Sequence, residues 1–146
     1  MSKKLLITGI TGMVGSHLAD YVLANTDVEI VGMCRWRSPL DNVEHLVERA
    51  NKGDRIKFET GDLNDAFSLE KIFKKYEFDY VSHLAAQSFP KTSFDAPVDT
   101  YNTNIIGTTN LLEVIKNSSS SPKIHVCSSS EVFCRFPKEM VPINED

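Results

Sequence analysis

Leu5-Leu6-Ile7-Thr8-Gly9-Ile10-Thr11-Gly12-Met13-Val14-Gly15-Ser16-His17-Leu18 is the stretch that decides how this chain folds. An apolar run ends in three glycines at intervals of three and then takes on helical spacing, so it reads as strand, phosphate loop, helix. Each glycine has its own task. Gly9 lets the backbone turn sharply off a buried strand, Gly12 lets it approach a pyrophosphate with no Cβ in the way, and Gly15 lets the helix pack close to the strand. The helix then aims free N–H groups and the positive end of its dipole at the anion. The spacing is GxxGxxG rather than GxGxxG, and the same glycines also fit an ordinary strand-to-helix turn. The Leu-Leu-Ile run before them and the amphipathic stretch after them favour the phosphate loop.

The rest of the composition sets bounds. At 146 residues the chain makes one domain, long enough to bury about 70% of its unfolded surface. A net charge of −4 argues against a general nucleic-acid or anionic-membrane surface. Cys34, Cys127 and Cys134 form no CxxC and leave an odd count, which suits a reducing cytoplasm better than a secreted disulfide scaffold. No stretch approaches the roughly 20 apolar residues of a membrane span, and Met1-Ser2-Lys3-Lys4 leads into a strand too short for a signal-peptide core. The expectation is a cytoplasmic protein without a membrane partner. His17, His45, His83 and His125 lack metal-ligand spacing and read as structural or surface groups, so no metal is expected.

Outward from the glycines, strand and helix alternate. Met13 to Asn25 carries Val14, Leu18, Tyr21 and Val22 on one face and reads as the first crossover helix. Val28 to Met33 is a second strand, followed by Cys34-Arg35-Trp36-Arg37-Ser38-Pro39 and a short helix over Val43 to Asn51. Arg55 to Thr60 is a third strand, and Asp65 or Asn64 caps a helix running to Tyr76. Asp79 to Ala85 is a fourth strand. After a loop holding Pro90 and Pro97, a long helix runs from about Val98 to Asn117, and Lys123 to Ser128 is a fifth strand. Five alternations imply an α/β, doubly wound parallel sheet of the Rossmann type in order 3-2-1-4-5, with its ligand site at the carboxyl ends of the strands.

The strand ends carry the candidate chemistry. An Asp or Glu about 20 residues past the glycines usually meets a free ribose 2′-hydroxyl, whereas Arg accommodates a 2′-phosphate. Here Cys34, Arg35 and Arg37 stand there without a carboxylate, which favours NADP over NAD; the arginines also fit a solvated loop. Asp62 can accept from the adenine amine, with the next N–H donating to the ring, and fits equally a turn or capping Asp. Ala85-Ala86-Gln87-Ser88 sets small residues where a ribose and pyrophosphate pass, with Gln87 and Ser88 for polar contacts; tight packing is the plainer reading. Ser128-Ser129-Ser130-Glu131 brings a hydroxyl and a carboxylate toward one cleft, or makes a serine-rich turn.

Taken together, Thr8-Gly9-x-x-Gly12-x-x-Gly15, Gly61-Asp62-Leu63, His83-Leu84-Ala85-Ala86-Gln87-Ser88, Asn104-x-x-Gly107-Thr108-x-Asn110-Leu111-Leu112-Glu113 and Ser128-Ser129-Ser130-Glu131-Val132-Phe133 resemble the extended short-chain dehydrogenase/reductase (NAD-dependent epimerase/dehydratase) family of nucleotide-sugar enzymes. Within it, Ala-Gln-Ser, Ser93-Phe94-Asp95-Ala96-Pro97, the Arg-containing loop and Ser-Ser-Glu are similar to the GDP-mannose 4,6-dehydratase branch. The resemblance implies hydride removal from C4 of the sugar to a nicotinamide, elimination of water across C5 and C6, and return of the hydride to C6. It assigns Gly9, Gly12, Met13, Val14 and Gly15 to the phosphate loop, Arg35 to the 2′-phosphate, and Asp62 with Leu63 to adenine. It assigns Leu84, Ala85, Ala86 and Gln87 to the cofactor wall and Ser88 to the substrate. Ser129 matches the residue that bonds the C4 oxygen, and Glu131 the acid/base of the elimination, which favours a dehydratase over a simple epimerase.

Two departures stand out. The family's hydride chemistry depends on a Tyr-x-x-x-Lys pair, and none of Tyr21, Tyr76, Tyr80 or Tyr101 has Lys four residues on. Cys134 stands where the family usually has Gly. The expectation is an amino-terminal fragment, residues 1–146, of a longer nucleotide-sugar enzyme, inactive alone, with an uncovered apolar edge on its sixth-strand side. Self-association, as a homo-oligomer, or a tail over 135–146 would cover that edge. Two alternatives stay open: an epimerase or 4-keto reductase of the same family, and a non-catalytic dinucleotide-binding or interaction module.

Overall fold

The computed structural model describes residues 2–133, 137 and 141–143. Five strands form one parallel sheet: β1 (Lys4–Thr8), β2 (Glu29–Cys34), β3 (Ile56–Thr60), β4 (Tyr80–His83) and β5 (Lys123–Val126), in the order β3-β2-β1-β4-β5. The connections are α1 (Met13–Asn25), α2 (Glu44–Asn51), α3 (Ala66–Lys75), α4 (Pro90–Asp95), α5 (Pro97–Tyr101) and α6 (Gly107–Asn117). Both the alternation and the strand order agree with the sequence reading. The chain winds from β1 toward β3 on one side and resumes at β4 on the other, so a crevice opens where β1 and β4 end.

β1 shows why a central parallel strand reads as an unbroken apolar run. Leu5 and Ile7 point to one face and pack with Ala19, Val22 and Leu23 of α1 and Leu46 of α2. Leu6 points to the other, joining Leu69, Ile72 and Phe73 of α3 and Leu111, Val114 and Ile115 of α6. Leu6 and Ile7 have no exposed surface; burying such a side chain contributes about 2 kcal/mol.

Boundaries moved where tertiary partners intervene. Asp65, not Asn64, caps α3, its Oδ1 accepting the Phe67 N–H at 3.1 Å. β4 stops at His83 rather than Ala85: the Leu84 N–H is shared between the Thr8 carbonyl at 3.3 Å and the Thr8 hydroxyl at 3.2 Å, and the Ala85 N–H donates to that hydroxyl. The expected loop around Pro90 is the short helix α4, and Pro90 and Pro97 each open a helix, where their missing N–H costs nothing. The helix expected from Val98 to Asn117 is continuous, but Asn102–Ile106 is a π turn joining α5 to α6.

β5 is an outer strand with its side chains exposed. An apolar groove of about 500 Å³ opens beside it, lined by Leu5, Val14, Leu18, Tyr80, Leu84 and Ile124 among others. Cys134 and most of 135–146 lie outside the described residues. No described helix is long and apolar enough to cross a membrane.

Candidate functional site

The carboxyl ends of β1 to β4 open into one cleft of about 430 Å³. Gly9 and Gly12 line it after β1, Cys34 at the end of β2 and Arg35 just after it, Gly61, Asp62 and Leu63 after β3, and Leu84 through Ser88 after β4. Larger grooves, of about 590 and 770 Å³, run along the outer edge of β3 and between α3 and α6, away from the point where β1 and β4 part.

The loop after β1 is shaped by close backbone approaches. Gly9 sits at φ +73°, and a Cβ there would lie 2.8 Å from the Ala85 nitrogen. A Cβ on Gly15 would lie 2.4 Å from the Gly9 carbonyl oxygen, so only glycine lets α1 pack against the turn. The Gly12 N–H donates to the Gly9 carbonyl at 3.0 Å, and Asn42 Nδ2 ties down the Thr11 carbonyl at 2.9 Å. No side chain caps α1 at Gly12 and its first turn holds no acid, which leaves the positive end of the helix to an anion. The Met13 and Val14 side chains are exposed and outside the cleft, so the backbone N–H groups of 13–15 are what this turn can offer.

A family model described as GDP-mannose 4,6 dehydratase matches residues 6–146. The chain belongs to that family of nucleotide-sugar dehydratases and epimerases. It is 39% identical over 140 residues to a GDP-mannose 4,6-dehydratase of Vibrio cholerae, covering 91% of this chain and 37% of that protein. It is 35% identical over 147 residues to UDP-glucose 4-epimerase 2 of Arabidopsis thaliana, covering 100% of this chain and 41% of that one. The UDP-glucose 4-epimerase of Bifidobacterium longum, solved in complex with NAD+ and UDP, superposes with a TM-score of 0.82 at 28% identity over 99% of this chain and 42% of its own. The chain thus spans well under half the length of these relatives.

The family's motifs fall in the structure as follows. Arg35 lines the cleft and is exposed, with no carboxylate partner among the described residues, while Arg37 stacks 4.1 Å over the ring of Trp36. Asp62 lines the cleft and also makes a turn: its Oδ1 accepts the Asn64 N–H at 2.9 Å. Leu63 is buried at the back wall. The Gln87 amide is engaged by its own loop and by α5, accepting the Phe89 N–H at 2.7 Å and donating to Thr100 Oγ1 at 3.1 Å; Gln87 and Ser88 both line the cleft. Ser129 and Glu131 lie past the end of β5, exposed and outside the cleft lining; the Ser129 hydroxyl accepts the Glu131 N–H at 3.2 Å and starts a 3₁₀ turn over Ser130–Phe133.

The sequence reading missed several residues that build this site. Asp99 and Thr103 face the cleft from α5 and the π turn. His83, read as structural or surface, is buried behind the Leu84–Ser88 segment without lining the cleft, and burial holds its imidazole below the ordinary pKa. Thr8 and His83 are polar residues at core positions of their strands, a signal that each must have a hydrogen-bond partner. Among the described residues, no three His, Cys, Asp or Glu side chains gather as a metal site.

Proposed function

We propose that this chain is the cofactor-binding portion of an NADP-dependent nucleotide-sugar 4,6-dehydratase acting on a GDP-mannose-like substrate. One observation carries the reading: a cleft across four strand ends combines an uncapped glycine turn with Arg35 and lacks a carboxylate after β2. The pyrophosphate fits the N–H groups of Met13, Val14 and Gly15, with Gly12 leaving the approach open. Arg35 supplies positive charge for a 2′-phosphate. Asp62 and the Leu63 N–H offer an acceptor and a donor to adenine, and Leu84, Ala85, Ala86 and Gln87 form the wall beside the ribose and pyrophosphate.

The bound dinucleotide would supply the hydride acceptor and donor. In the dehydratase reading Ser129 holds the C4 oxygen of the sugar, Glu131 moves the proton in the loss of water, and Ser88 contacts the sugar nucleotide. Without a Tyr-x-x-x-Lys pair, these 146 residues are expected to bind cofactor and to leave GDP-mannose unchanged. The apolar groove beside β5 supports self-association in solution.

The test is a fluorescence titration with NADP and NAD. Trp36 is the single tryptophan and lies between Arg35 and Arg37, so it reports on the 2′ position. A saturable change at much lower NADP than NAD is expected; equal or tighter response to NAD would overturn the NADP assignment. A second reading, an epimerase of the same family, is favoured by the Arabidopsis relative, which matches the whole chain. An unchanged product profile after Glu131→Gln, in the chain extended to the relatives' length, would establish it.

A further inference from the structure

A chain of hydrogen bonds links the end of β1 and the π turn to two points of the Leu84–Gln87 wall, and the surrounding partners favour one assignment of its donors and acceptors. The Thr108 hydroxyl donates to the Asn104 carbonyl at 2.8 Å, so its oxygen accepts from His83 Nε2–H at 3.0 Å. His83 Nδ1 is then the acceptor for the Thr8 hydroxyl, at 2.8 Å. The Thr8 oxygen accepts the N–H groups of Leu84 and Ala85, both at 3.2 Å. At the far end the Asn104 amide holds the Gln87 N–H and carbonyl.

One tautomer satisfies every bond. A protonated ring would push a second N–H at the Thr8 oxygen, which already accepts two, and would strip the Thr8 proton of its acceptor. Both threonines and His83 sit at the junction of β1, β4 and α6. Ala85 and Gln87, the backbones held at the two ends, line the cleft. Thr108 does not line it.

We propose that His83 is a positioning residue for the cofactor cleft: in its neutral Nε2–H form it couples Thr108 and the π turn to Thr8, and so sets the spacing between the Gly9 turn and the Leu84–Gln87 wall. This rests on reading the cleft as a dinucleotide site. Loss of the bond at the remote end then weakens cofactor binding although the residue removed touches no ligand.

The experiment compares Thr108→Val, which keeps the shape, with Thr108→Ser, which keeps the hydroxyl. NADP affinity is read by Trp36 fluorescence, and amide hydrogen exchange at Ala85 and Gln87 is read without ligand. Thr108→Val is expected to weaken NADP binding about fivefold, the equivalent of one hydrogen bond, and to speed exchange at both amides. Thr108→Ser keeps native values, and Thr108→Val has no further effect in a His83→Phe background. Native affinity and exchange in Thr108→Val, equal losses in the Val and Ser variants, or an undiminished Thr108→Val effect in the His83→Phe background would each overturn the proposal. If the exchange pattern is as expected but the chain binds neither NADP nor NAD, the relay stands and the cofactor reading fails.

Discussion

Asn104, in the π turn of the long helix, clasps the backbone of Gln87 on both sides: the Gln87 N–H donates to Asn104 Oδ1 at 2.8 Å, and Asn104 Nδ2 donates to the Gln87 carbonyl at 2.9 Å. A π turn re-aims side chains that a regular helix would send elsewhere, and such turns gather at functional sites. Asn104→Ala orphans both backbone groups and is expected to cost about 1–3 kcal/mol in urea unfolding. Asn104→Asp keeps the acceptor and loses the donor, so it should fall between the two.

The glycine loop separates folding from binding. Gly15→Ala would set a methyl 2.4 Å from the Gly9 oxygen and 2.7 Å from Ile10 Cα, and should lower stability by about 1–3 kcal/mol or more. A Cβ on Gly12 meets only the Gly9 oxygen, at 3.3 Å, and otherwise points into open space. Gly12→Ala is therefore expected to stay close to native in thermal melts while its dinucleotide affinity falls. Melting and titration on the same two variants check this.

Arg35 and Arg37 are neighbours in sequence with different surroundings. Arg37 is stacked on Trp36, and Arg35 lines the cleft. Arg35→Ala should cut NADP affinity about tenfold, near 1.4 kcal/mol, and leave NAD affinity little changed; Arg37→Ala should mainly alter the Trp36 emission. Parallel titrations of both variants with both dinucleotides decide it.

His83 sets a pH limb of stability. Burial lowers its pKa below the ordinary 6.5, so the unfolded chain takes up this proton at higher pH than the folded one does. Stability is full above pH 6.5 and declines as pH falls toward the lowered value. The melting temperature should drop between pH 7 and 5, and His83→Phe should flatten that limb. Three carboxylates act lower down, from ordinary values of 4.5, 3.8 and 4.5. The Ser2 hydroxyl lowers Glu29 and the Arg55 N–H lowers Asp54, while at Glu59 burial pushes upward and is outweighed by bonds from Lys75 and Tyr76.

The strand, glycine turn and helix over Lys4–Asn25, the five alternations and the strand order were legible in the residues, because each rests on local signals. An apolar run at the sheet centre, a helical period and a glycine that no Cβ could replace are all written within a few positions of one another. The right-handed crossover rule then leaves little freedom of topology. The strand ends that form the cleft follow from the same signals.

What faces that cleft was settled by residues far apart in the chain. Thr8 and His83 are 75 positions apart, and Gln87 and Asn104 17 apart. Asp65 rather than Asn64 caps α3, Gln87 donates its amide to Thr100 of α5, and Ser129 and Glu131 stand outside the cleft lining. Periodicity marks α1 as a helix but does not by itself choose its packed face: Val14 and Tyr21 are exposed, while Ala19, Val22 and Leu23 are buried. Which polar atom a side chain meets depends on how two elements approach, and burial makes that pairing obligatory, so the relay through His83 belongs to the tertiary structure alone.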